Sequence, residues 1–102
     1  MIMDAEVIKI KIARQRILQC LNMMYPTRLL LATIFNAICY TNPDYEMALF
    51  RKDIYYLVDK GWLKFIDEKI GGIPEFLKKV VGLTAEGKEI AEKTQTDPAL
   101  EI

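Results

Sequence analysis

The sequence predicts a mainly helical α+β domain: a three-helix core, a small two-stranded β-hairpin and a closing C-terminal helix. Three observations predict it. Apolar residues recur at three- and four-residue steps in successive segments, which gathers them on one face of each helix. The run from Phe50 to Phe65 passes from helical spacing through Gly61 directly into aromatic and branched residues. Gly82-Leu83-Thr84-Ala85-Glu86-Gly87 then leads from a strand into a helix that opens on a threonine.

The first helix is expected over about Asp4–Met24, with Ile10, Ala13, Ile17, Leu21 and Met24 on its buried face. Alternation across Ile8-Lys9-Ile10-Lys11-Ile12 leaves a short preceding strand as the alternative. Tyr25-Pro26-Thr27 ends this helix. A residue before proline avoids the helical region, and Thr27 is placed to cap the second helix. Leu30, Leu31, Ile34, Phe35 and Ile38 form the second apolar stripe, ending near Cys39. Tyr40-Thr41-Asn42-Pro43-Asp44 is a turn by composition. The third helix is expected over about Tyr45–Lys60, with Phe50, Ile54, Leu57 and Val58 inward and Met47, Ala48, Arg51, Lys52 and Tyr55 outward. Gly61 suits the left-handed position that stops a helix, and Lys60 meets the negative end of the helix dipole.

Aromatic and branched residues then predict a strand over Trp62–Ile66. Asp67–Glu75, containing Gly71-Gly72-Ile73-Pro74, reads as the hairpin tip, and Phe76–Leu83 as the return strand. Thr84 caps the last helix, in which Ile90 and Ala91 face inward and Glu86 occupies the favourable first turn. Gly87 costs that helix about 1 kcal/mol against alanine, so a packing requirement is expected there. The domain is expected to span residues 1–93, and the polar stretch 94–102 a flexible tail.

Composition narrows the function. The 102 residues fit one domain, and 14 basic residues balance 14 acidic ones. A strong, salt-sensitive nucleic-acid binder carries a basic excess over the whole chain, so any such contact must use a local face. Histidine and serine are absent, which removes histidine acid–base or metal chemistry and a serine nucleophile. Cys20 and Cys39 sit in apolar patterns and read as free buried thiols, with a disulfide as the alternative. Two cysteines do not complete a zinc site. Gly71-Gly72 is a turn, and Asp67-Glu68 falls on a hairpin tip that shields no chemistry. The expectation is a non-enzyme with no cofactor and no metal. The opening Met-Ile-Met-Asp-Ala-Glu has no signal-peptide pattern, and no apolar run reaches membrane-spanning length, so a cytoplasmic protein without membrane contact is expected.

Helix, helix, turn, helix, two-stranded wing and helix, in that order, resemble a winged helix-turn-helix domain. The chain further resembles the small winged-helix proteins of Mu-like transposable phages. The matching residues are Arg14, Arg16, Ile17 and Leu18; Arg51-Lys52-Asp53-Ile54 with Tyr56-Leu57; Gly61-Trp62-Leu63; Leu83-Thr84-Ala85-Glu86-Gly87; Ile90-Ala91; and Thr96-Asp97-Pro98. The resemblance implies a phage or prophage origin, a bacterial host cytoplasm, and double-stranded DNA as partner in transcription regulation or phage genome handling. Asp44 and Glu46 depart from it, because many DNA-reading members carry Ser, Thr or Arg there. That acidic start and the zero net charge favour the alternative, a protein–protein module without DNA binding.

The candidate DNA-binding residues are Arg51, Lys52 and Tyr55 on the third helix and Lys78 and Lys79 on the hairpin. On the outer face of the third helix, Arg51 suits a guanine or a phosphate, Lys52 a phosphate, and Tyr55 a hydrogen bond. The competing reading is a solvated face whose cations pair with nearby carboxylates, since Asp44–Lys60 holds four acidic and three basic residues. Lys78 and Lys79 reach phosphate if the hairpin lies beside the duplex; otherwise they guard a strand edge. Lys9, Lys11, Arg14 and Arg16 make the first helix the most basic segment, read foremost as a solvated face. Of Tyr55 and Tyr56, about 100° apart on a helix, one should pack and one remain available. Trp62 reads as a core or rim anchor, and Met23 and Met24 as core fillers before an adaptable interface. Met1-Ile2-Met3 and Val7-Ile8 are apolar enough to suggest a homodimer held by the first helix, against folding back on their own core.

Overall fold

The computed structural model describes the backbone of residues 5–66 and 75–96 and the side chains of residues 12–66 and 75–93. In chain order the elements are α1 (Ala5–Met23), β1 (Leu29–Leu30), α2 (Leu31–Thr41), α3 (Met47–Asp59), β2 (Leu63–Ile66), a 3-10 turn (Phe76–Lys78), β3 (Val80–Leu83) and α4 (Ala85–Thr96). The fold is thus mainly helical with a small antiparallel sheet of order β1-β3-β2. Several expectations fall outside the described residues: the hairpin tip over 67–74 with Lys69, the side chains of Lys9 and Lys11, the apolar start, and the tail beyond Thr96.

One core joins every layer. Ala13, Ile17, Leu18 and Leu21 of α1 meet Leu31, Ile34 and Ile38 of α2 and Phe50, Ile54 and Leu57 of α3. Leu63, Val81 and Leu83 close it from the sheet, and Ala91 from α4. Ile90 and Val58 pack half-buried against it. α1 lies across α4, α3 and α2 and ties the first and last helices together.

The sheet has three strands where two were expected. Leu29 and Leu30 are extended and pair with Val81 and Val80 of β3, and the Leu31 amide donates to the Lys79 carbonyl at 2.9 Å. Thr27 therefore caps nothing: it lies in the turn, which contains a cis Tyr25–Pro26 bond, and Leu30 takes the N-cap position without a side-chain cap. Strand alternation turns Leu30 outward while Leu29 and Leu31 turn in, so Leu30, expected inside, is exposed.

The return strand also starts later than expected. Phe76 and Leu77 are neighbours in sequence, yet both pack on the core. A strand would send them to opposite faces, and the 3-10 turn over Phe76–Lys78 resolves the conflict. From Val80 the ribbon is regular, with Leu63 opposite Leu83, Lys64 opposite Gly82 and Phe65 opposite Val81.

Three further expectations are corrected. α3 opens at Met47, because Tyr45 turns into the core against Phe35 and Phe50, leaving Asp44 and Glu46 ahead of the first turn. Met47, expected outward, packs half-buried on the core. Met23 and Met24, expected to fill the core, are exposed where α1 ends. α4 itself runs from Ala85 to Thr96.

The corner between α3 and α4 follows the sequence. Gly61 has φ 79°, and its amide and that of Trp62 return to Val58 and Leu57, closing α3 in a Schellman motif. The Thr84 hydroxyl donates to the Gly61 carbonyl at 2.6 Å and accepts from the Gly87 amide at 3.0 Å, capping α4. The Thr84 amide donates to the Trp62 carbonyl at 3.0 Å. Gly87 has its packing reason here: a Cβ on it would lie 2.0 Å from the Trp62 carbonyl oxygen.

Candidate functional site

Three of the five sequence-predicted residues, Arg51, Tyr55 and Lys79, meet where the outer face of α3 packs on the hairpin. Arg51, Lys52, Tyr55 and Lys78 are exposed, and Lys79 is half-exposed. Two rings that sequence reasoning did not single out join them. The Arg51 guanidinium carbon lies over the Phe76 ring, 4.9 Å from its centroid. Tyr55 packs between Phe76 and Phe65, at 5.9 and 5.8 Å between centroids. The Lys79 ammonium lies over Phe65 at 5.3 Å. Arg51, Phe76, Tyr55, Phe65 and Lys79 thus form a continuous strip from helix to ribbon. Lys52 and Lys78 are exposed and, among the described residues, make no ring contact.

The strip is anchored from below. Phe76 meets the fully buried Phe50 edge-on, at 5.9 Å and 71°. The predicted division of the tyrosine pair holds: Tyr55 is 42% exposed, while Tyr56 is half-buried beneath the Arg14 guanidinium, 3.6 Å away.

Charge on this face differs from the count along the chain. Asp53, one of the four acidic residues of the segment, is 2% exposed and paired with Arg14 of α1. Removing it leaves Asp44, Glu46 and Asp59 against Arg51, Lys52 and Lys60, three of each at the surface. Among the described residues, none of Arg51, Lys52, Lys78 and Lys79 forms an ion pair with a carboxylate.

Arg14 is the converse case. Expected on a solvated face, it donates through Nε to Asp53 Oδ1 at 3.1 Å, and Tyr45 donates to Asp53 Oδ2 at 2.5 Å. Burial pushes the Asp53 carboxyl above its ordinary range, and the hydrogen bonds from Tyr45 and Arg14 offset part of that rise. Burial and the adjacent Asp53 likewise push the Tyr45 phenol up. The signal for Asp53 was present: positions 50, 53, 54 and 57 are the i, i+3, i+4, i+7 set of one buried face. Arg16, by contrast, stays exposed and bonds the Thr41 hydroxyl.

Cys20 and Cys39 are free and half-buried, and burial pushes the Cys20 thiol up. Among the described residues, no group of three His, Cys, Asp or Glu side chains could hold a metal ion, and no helix is long and apolar enough to cross a membrane. Comparison with protein-family models, with curated proteins and with solved structures finds no match.

Proposed function

We propose that the chain is a winged helix-turn-helix protein that binds double-stranded DNA, α3 entering the major groove and the β2–β3 ribbon lying against the backbone. The observation that carries this reading is the strip from Arg51 to Lys79, which brings cations of two adjoining elements together over a row of rings. Arg51 and Tyr55 stand where a groove-facing helix places its readers, and Lys52, Lys78 and Lys79 where phosphates would pass. The resemblance to the Mu-like phage proteins supports a non-enzymatic role in transcription regulation or phage genome handling. Two copies would read more base pairs than one, and light scattering of the full chain at tens of micromolar tests for that homodimer.

A fluorescence anisotropy titration of the full chain with random duplex DNA at two salt concentrations tests the reading. Arg51→Ala and Lys52→Ala should each weaken binding, and each lost phosphate contact should lower the salt slope by about one. No binding by the wild type at low salt overturns it. The second reading, a protein-binding module, is favoured by the zero net charge and by the exposed ring of Tyr55 within the strip. It takes over if duplex DNA does not bind.

A further inference from the structure

Arg51 and Lys79 each lie over an aromatic ring, yet they differ in what that contact can do. An ammonium is a point charge that can turn its donors in any direction. A guanidinium is a planar fork, and its use depends on how the plane is held. Most exposed helix arginines hold no fixed plane, because the side chain samples many rotamers. Arg51 does not stand alone in this way: its guanidinium lies over Phe76, and Phe76 is itself fixed between Phe50 in the core and Tyr55. A guanidinium lying over a ring is attracted by the ring's negative face and keeps the N–H donors at its free edge for other partners. The path from the core to the fork is short: Phe50, Phe76, Arg51.

On the reading that α3 meets DNA, we propose that Phe76 is a positioning residue that fixes the Arg51 guanidinium for bidentate contact with the O6 and N7 of one guanine. Two parallel donors match two acceptors on the major-groove edge of guanine, which no other base presents in that pair. Lys79 over Phe65 and the exposed Lys52 lack the fork and serve phosphates, whose contacts carry no sequence information. The face then divides into one specifying residue and several that set affinity. The ring that makes the difference belongs to the 3-10 turn, outside the helix that does the reading.

Selection of a randomised duplex library with the full chain, followed by anisotropy on the best duplex and on its guanine-to-adenine partner, reads this division. The wild type should prefer the guanine duplex by roughly five- to a hundredfold. Arg51→Lys keeps the charge and should lose that preference. Phe76→Leu should lose it as well, and Phe76→Tyr, which keeps the ring face, should retain it. Lys79→Ala should weaken both duplexes equally. Without DNA, proton NMR should show the Arg51 δ-methylene shifted upfield by the ring in the wild type and in Phe76→Tyr, but not in Phe76→Leu. A thermal melt checks that each variant is folded. Should Phe76→Leu unfold, Arg51→Lys leaves the core intact and, with the wild-type NMR shift, carries the test. A wild type that binds DNA without guanine preference overturns the inference and leaves the DNA reading standing. A preference that survives in folded Phe76→Leu or in Arg51→Lys, or an unshifted Arg51 methylene, does the same. Failure to bind any duplex removes both.

Discussion

The Tyr45 hydroxyl and the Asp53 carboxylate meet at 2.5 Å inside the protein, the tyrosine ahead of α3 and the aspartate within it. The contact fixes where the turn ends and α3 begins, and with Arg14 it spans from α1 to α3. Both carboxylate oxygens are thereby satisfied, which a buried charge requires.

Removing one donor should therefore be costly. Tyr45→Phe should destabilise the fold by about 1–3 kcal/mol, because it leaves a buried acceptor without a partner. Arg14→Met should cost more, about 3–5 kcal/mol, since the carboxylate loses its counter-charge. Urea denaturation checks both, and a ranking with Tyr45→Phe the more damaging would contradict the account.

The same pair predicts a response to alkali. The folded phenol of Tyr45 is raised above its unfolded value, so above about pH 10 the folded state holds a proton that the unfolded state has released. Stability from this group is complete below that pH and is lost as pH rises further, by up to about 1.4 kcal/mol per pH unit. Urea midpoints at pH 8, 10 and 11 should fall more steeply for the wild type than for Tyr45→Phe. Parallel slopes would show that Tyr45 titrates alike in both states.

Gly87 offers a test in which the sign decides. In an open helix, glycine to alanine gains about 1 kcal/mol. Here the added carbon would stand 2.0 Å from a backbone oxygen of Trp62, which cannot swing aside as a side-chain end can. Gly87→Ala should instead destabilise by roughly 1–3 kcal/mol through overpacking. A rise in thermal midpoint would mean that α4 shifts off the corner freely.

Leu57 is fully buried where α3 meets the rest of the core. Leu57→Ala should cost roughly 2–5 kcal/mol, the transfer energy of the lost carbons plus that of the cavity left behind. Chemical denaturation giving less than about 1 kcal/mol would place this face of α3 elsewhere.

Much of this was legible in the sequence because it rests on local chemistry. Gly61, Thr84 and Gly87 each have one backbone job that few other residues can do, and all three were read correctly. The outward positions of Arg51, Lys52 and Tyr55 follow from helical spacing alone. What was missed depends on partners distant in sequence. Leu30 fits the helical apolar pattern of α2, and only the pairing of Leu29 and Leu30 with β3 makes it extended. Arg14 reads as a surface cation until Asp53 is placed opposite it. Phe76 looks like a strand residue, and its seat under Arg51 arises only once the ribbon has folded back on α3. Asp53 was missed as well, although its position on the buried stripe was visible along the chain.

The mutual grip of Gly61 and Thr84 has a consequence for how such a chain can change. These residues are joined at the base of the ribbon by a side-chain hydrogen bond, with the Thr84 amide on the next carbonyl, so α3 and α4 keep their corner from contacts outside the ribbon's far end. A corner made by a backbone turn and one hydroxyl leaves the exposed side chains of both helices free to vary: exchanging surface residues such as Lys52 on α3 or Glu89 on α4 should leave the angle between the helices in place.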